Sequence, residues 1–173
     1  MQKRNSSTLF KGTVFDIEQF EAEISDKGWH QFQVIRHPGG VGVLPVHDDS
    51  TVTLIRQPRP AVKIQLMELP AGRLDPEEGP EACGRRELLE ETGLVAESFH
   101  SLGIIYPSPG VFDEVIHLFA ATGLSQHTPH PEADEAIEPV RLPFSAVLEM
   151  AADGRISDAK TIAALFRAEK LLP

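Results

Sequence analysis

Apolar and polar residues largely alternate over TVFDIEQFEAEI (13–24) and HQFQVIRH (30–37), the period of a strand with one buried face. SDKG (25–28) joins them as a turn, and PGG (38–40) closes the segment. The runs VGVLPV (41–46) and TVTLIRQ (51–57) flank HDDS and predict a hairpin, and IQLMELPAG (64–72) reads as a strand ending in a Pro/Gly loop. The period then changes to that of a helix over residues 80–92. Pro80 suits its first turn and Gly93 its C-terminal cap. Strands follow at 98–106, 114–122 and 136–142, with the polar loop GLSQHTPHPEADE (123–135) before the last. Ser145 is placed to cap a helix over 146–153, Gly154 to stop it, and Ser157 to start another over 158–172.

That order predicts an α/β or α+β sandwich in which helices cover a mixed sheet. The expected division is an N-terminal β-unit over 1–40 and a main domain over 41–173. A chain of 173 residues, 41% hydrophobic and 24% charged, has room for one substantial core and not for two full ones. The formal net charge of −10 argues against nucleic acid as a partner. A phosphate-bearing small molecule would need a metal ion or a local arginine to approach such a surface. The single cysteine, Cys83, excludes an intramolecular disulfide and fits a reducing compartment. No apolar run is long enough to span a bilayer, and MQKRNSSTLF lacks the apolar stretch of a secretory signal. A cytoplasmic location without membrane association is expected.

On a helix of about 100° per residue, Ala82, Leu88, Leu89 and Thr92 share a face suited to packing on a sheet. Glu87, Glu90 and Glu91 fall on the opposite side, neighbours at helical spacing, where like charges repel. A hard divalent cation removes that difficulty: Mg²⁺ takes carboxylate oxygens and shares its shell with water and substrate phosphates. Cys83 and Gly84, one turn earlier, are small enough to leave room for a ligand above the helix. Arg86 lies within reach of Glu90.

Gly72, five residues, Glu78, seven residues, Arg86-Glu87-Leu88, one residue, Glu90-Glu91, one residue, Gly93-Leu94 is the complete spacing. It resembles the Nudix box of the Nudix hydrolases, with every defining position filled. The resemblance implies a Nudix-type α/β/α sandwich whose box glutamates bind Mg²⁺ or Mn²⁺. It implies Glu87, Glu90 and Glu91 as metal ligands or their supports, Glu90 and Glu91 as the catalytic pair, and the Ala71 carbonyl as a further ligand. Gly72, Glu78, Arg86 and Gly93 take structural parts, Glu78 and Arg86 holding loop and helix together.

LIRQPRPAV, LMELPAG, YPSPGVFDE and GRISDAKTIAALF resemble the ADP-ribose pyrophosphatase subfamily. By position, Arg59 would reach the diphosphate, although Pro58 stands where an aromatic residue is common. Pro109, fifteen residues beyond Leu94, matches that group's marker proline, and Glu114 falls where it places an acid near the terminal ribose. The loop carboxylates Glu135 first, and Glu132 second, are the candidates for the general base; Ala133 occupies a position that is often glutamate. The N-terminal β-unit commonly forms a homodimer in this subfamily, with Trp29, Phe32 and Arg36 as possible contributors to the partner's adenine site.

These features predict Mg²⁺-dependent hydrolysis of ADP-ribose or a related ADP-sugar to AMP and ribose 5-phosphate. The alternatives are another nucleoside diphosphate sugar, such as GDP-mannose, and a non-catalytic sensor of nucleotide sugars. His37, His47, His117, His127 and His130 match no zinc spacing.

Overall fold

The computed structural model describes residues 1–129 and 136–169. The chain folds as two compact units, Met1–Gly39 with Tyr106–Val115, and Gly40–Ile105 with Ile116–Pro173.

The first unit is an antiparallel sheet of β1 (Lys3–Lys11), β2 (Asp16–Glu23) and β3 (Trp29–Arg36), in that order. The hydrophobic pattern does not predict β1, because KRNSSTLFK carries no alternation to detect. Every one of its residues is exposed. Its pairing with β2 is backed by ion pairs, Lys3 with Glu18 and Arg4 with Glu21 at 2.6 Å. Gly12 makes the turn between them: its N–H donates to the Phe15 carbonyl, and a Cβ would stand 2.6 Å from that oxygen. Phe20 is the buried centre, stacked on Phe32 with ring centroids 6.0 Å apart. The Tyr106–Val115 segment, distant in sequence, joins along β3: Ile35 N–H donates to Val111 O at 2.8 Å, and Asp113 N–H to Ile35 O at 3.1 Å.

The second unit follows as β4 (Gly40–Pro45), β5 (Thr51–Arg59), β6 (Ile64–Glu68), β7 (Ala71–Arg73), α1 (Pro80–Thr92), β8 (Leu94–Ile105), β9 (Ile116–Gln126), β10 (Glu138–Pro143), α2 (Phe144–Ala152) and α3 (Ala159–Ala168). One sheet has the order β7-β4-β9-β8 and is mixed, with β4 and β9 parallel and the other pairs antiparallel. The other, β10-β5-β6, is antiparallel.

Strand alternation distributes the core to both faces of the mixed sheet. Val41 and Val43 of β4, with Phe119 and Ala121 of β9, pack with Cys83 and Leu88 of α1. Leu44, Leu118 and Ala120 pack instead with Ala164, Leu165 and Ala168 of α3 and with Val147 of α2. The sheet therefore lies between α1 and the α2–α3 pair, the α/β/α arrangement expected from the box.

Local expectations needed correction. The 47–50 connection does not close a hairpin ladder, because β4 and β5 enter different sheets after a single bridge, Val46 with Val52. Ser145 is inside α2, which begins at Phe144 with no side-chain cap. The cap of α3 is Asp158, one residue past Ser157; its carboxylate accepts from Thr161 N–H at 2.9 Å.

Candidate active site

Pro70 separates β6 from β7 and sends them into different sheets. Lacking an N–H, it cannot continue a ladder as donor, but its carbonyl accepts from Val43 N–H at 2.9 Å. The next residue, Ala71, donates its N–H to Glu91 Oε2 at 2.9 Å. Gly72 lies against Glu87 so closely that a Cβ would stand 1.9 Å from Glu87 Oε1. Two box carboxylates thus meet the backbone just before and at the box glycine.

They do so because α1 is rotated from the orientation predicted by apolar periodicity. Its buried residues are Cys83, Gly84, Glu87, Leu88, Glu91 and Thr92, while Ala82 is exposed and Leu89 half-buried. Glu87 and Glu91 share the sheet-facing side with Leu88 and do not oppose it. A pattern that counts acids as surface residues cannot anticipate carboxylates turned inward to protein donors. Cys83 and Gly84 leave no ligand space above the helix. They let it approach the sheet: a Cβ on Gly84 would come within 3.1 Å of Val43, 3.2 Å of Phe99 and 3.2 Å of Val41. Gly93 ends the helix at φ 71°, donating its N–H to Leu89 O at 2.8 Å.

Arg86 carries the balancing charge. Nε and Nη2 donate to the two oxygens of Glu78 at 3.2 and 3.0 Å, tying the loop before α1 to the helix. Nη1 donates to Glu87 Oε1 at 2.7 Å and to Glu90 Oε2 at 2.9 Å. The bonds to Glu78, with the charge of Glu87, hold the Arg86 proton more firmly than usual despite partial burial. The Glu78 carboxyl is correspondingly lowered by Arg86. Cys83 is driven the other way; burial pushes its thiol up to about 12.

Among the described residues, no three His, Cys, Asp or Glu side chains are gathered as a metal site. The donor chemistry nevertheless fits a hard divalent cation. All three box carboxylates offer oxygen, and Glu87 and Glu90 already share one positive charge at Arg86 Nη1. The glycine at 72 leaves the space that Glu87 occupies.

Arg59 ends β5, its side chain 39% exposed. Nε and Nη2 donate to Glu68 Oε1 and Oε2 at 2.7 and 2.8 Å, a two-bond fork, so that edge is already engaged. The remaining donors, at Nη1 and the second Nη2 hydrogen, are those left for an anion. The bonds to Glu68 raise the affinity of Arg59 for its proton, and the charges of Asp158 and Glu91 act in the same direction. Sequence reasoning missed Glu68, Lys160 and Asp158, which back this arginine. The available signals were an acid inside the apolar run LMELP, and a lysine in register with the buried Ala164 and Ala168 of α3.

Pro109 and Glu114 belong to the first unit. Pro109 sits in a turn where Ser108 O accepts from Phe112 N–H at 2.9 Å. Glu114 Oε1 lies 3.4 Å from His37 Nδ1. Trp29 carries the Arg4 guanidinium 4.0 Å above its ring, and Arg36 pairs with Glu18 and Asp113. Glu132 and Glu135, the base candidates, lie outside the described residues. No helix among the described residues is long and apolar enough to cross a membrane.

Comparison with known proteins yields a family match, to the NUDIX domain, over residues 36–165. The chain is 32% identical over 159 residues to an ADP-ribose pyrophosphatase of Bacillus subtilis strain 168, covering 91% of this chain and 86% of the relative. It is 36% identical over 170 residues to a GDP-mannose pyrophosphatase of Yersinia enterocolitica, covering 90% and 88%. A solved structure described as an ADP compounds hydrolase superposes with a TM-score of 0.85 at 23% identity, over 99% of this chain and 93% of that one.

Proposed function

We propose that this chain, which belongs to the NUDIX domain family and is a Nudix hydrolase, cleaves the diphosphate of nucleoside diphosphate sugars, with ADP-ribose as its substrate. The products are AMP and ribose 5-phosphate. The observation that carries this reading is the convergence of Glu87 and Glu91 on Ala71 and Gly72, the backbone just before and at the box glycine. Relatives named for ADP-ribose and for GDP-mannose support the nucleotide-sugar class.

Nudix hydrolases generally use divalent cations. In this reading Glu87, Glu90, Glu91 and the Ala71 carbonyl hold Mg²⁺, or Mn²⁺, which when bound supplies charge neutralisation at the diphosphate and a more acidic water. Arg59 binds a phosphate oxygen through its free edge and steadies the charge that develops there. Glu135 or Glu132 accepts the proton of the attacking water. The water oxygen bonds to one phosphorus as its bond to the bridging oxygen breaks, and the bridging oxygen leaves with the other phosphate. Glu114 is the acid proposed to accept hydrogen bonds from ribose hydroxyls, and Pro109 the proline that marks this substrate group, both on the strength of the subfamily resemblance. The protein acts as a cytoplasmic homodimer formed through the N-terminal unit.

GDP-mannose is the second reading, favoured by the 36% identity to a pyrophosphatase of that name. Rates on ADP-ribose, GDP-mannose, diadenosine polyphosphates and NADH with added Mg²⁺ decide between them; the ADP-ribose reading fails if another substrate is faster. Glu91→Gln should abolish turnover with an unchanged melting temperature. Full activity in that variant would remove the metal assignment.

A further inference from the structure

Glu68 has no part in the acidic helix, yet at 1% exposure it is the most deeply buried carboxylate among the described residues. Arg59 holds both of its oxygens. Lys160, in the first turn of α3, donates to Oε2 as well. Lys160 also reaches Asp158 Oδ1 at 3.1 Å, and Asp158 Oδ2 accepts from the N–H of Thr161 at 2.9 Å and its hydroxyl at 2.6 Å. Thr161 Oγ1 in turn accepts from Leu69 N–H at 2.9 Å, bringing the network back to the residue beside Glu68.

Such an arrangement is a poor way to gain stability. Two cations and two carboxylates lose much of their hydration, and apolar residues of similar volume would serve the fold as well. One carboxylate already satisfies the Nε–Nη2 edge of Arg59. The second cation, Lys160, adds no bond to Arg59; it gives Glu68 a further anchor, on the Oε2 that Arg59 Nη2 also takes. Anchored to a second element through Lys160, the carboxylate is held in place, and the guanidinium plane is set by a partner that is itself braced.

We infer that Glu68 is a positioning residue for Arg59, and that Lys160 braces Glu68 so that the first turn of α3 sets where Arg59 presents its free edge to a diphosphate. This rests on the reading of Arg59 as a phosphate ligand. An arginine on its long side chain otherwise loses entropy in settling on one orientation, and holding it in advance lowers the cost of binding.

A double-mutant cycle tests the inference, with kcat and KM measured on ADP-ribose, ADP affinity by calorimetry, and melting temperature for every variant. Arg59→Ala is expected to raise KM and weaken ADP binding by about tenfold or more, the scale of a charge-assisted hydrogen bond. Glu68→Gln is expected to raise KM by about tenfold with a smaller fall in kcat, and to add less than about twofold once Arg59 is alanine. Equal factors for Glu68→Gln with and without Arg59, or an unchanged KM in Glu68→Gln, overturn the inference while leaving Arg59 as a phosphate ligand. An Arg59→Ala protein with normal KM and ADP affinity overturns the phosphate reading itself, and the positioning role with it. If Glu68→Gln does not fold, Lys160→Met with and without Arg59→Ala supplies the same comparison and is judged the same way.

Discussion

Both carboxylate oxygens of Glu87 fall within 2.6 Å of the position that a Cβ on Gly72 would take. The glycine thus acts as a seat for an acid that arrives from a helix fifteen positions later in the chain. Gly72→Ala should push the end of the Glu87 side chain away while leaving the backbone in place. Turnover should fall about a hundredfold, as small misplacements of reacting groups do. The urea midpoint should move little, because only the far end of a side chain has to shift. A destabilised but fully active variant would contradict this account.

Arg86 makes four hydrogen bonds to Glu78, Glu87 and Glu90, which a single ammonium cannot reproduce. Arg86→Lys should cost about 1 kcal/mol of unfolding free energy, below the usual range for charge-assisted bonds because the group is partly exposed. Urea titration reads this directly. Glu78→Gln should lose a similar amount, and the two losses should not add.

Acid should unfold the protein partly through Glu68. Burial alone would raise its carboxyl, but the Arg59 and Lys160 contacts outweigh that and the net direction is downward. The folded state therefore holds fewer protons than the unfolded chain near the ordinary glutamate range of about 4.3. The corresponding stability is complete above that range and is lost as the pH falls through the lower folded value. Between pH 5 and 3, to take roughly that window, the unfolding free energy of Glu68→Gln should fall less steeply than that of the native chain.

Cys83 is fully buried, with its thiol pushed up to about 12 by that burial. Iodoacetamide at mildly alkaline pH should leave it unmodified in the folded protein and alkylate it in denaturant, as mass spectrometry would show. Rapid labelling of the folded chain would mean that α1 opens from the sheet.

The strands with clear alternation were legible, and so was the helix between Pro80 and Gly93, because its end signals are local: a proline where no N–H is needed and a glycine at positive φ. β1 was not, since exposed residues on a paired edge leave no hydrophobic trace. The spacing from Gly72 to Leu94 identified the family without any coordinates. The apolar periodicity of the same stretch misjudged the face of α1, because it set Glu87 and Glu91 opposite the sheet-packing side when they point to Ala71 and Gly72.

Sequence by itself therefore determined the fold class and the family, both of which depend on residues near one another in the chain or on a fixed motif. Only the tertiary structure decided which side of α1 is buried, and that Arg59 leans on Glu68 and, through it, on Lys160. Lys160 is 92 positions from Glu68. Whether a buried charge finds its partner depends on which strands and helices become neighbours, and no local pattern carries that information.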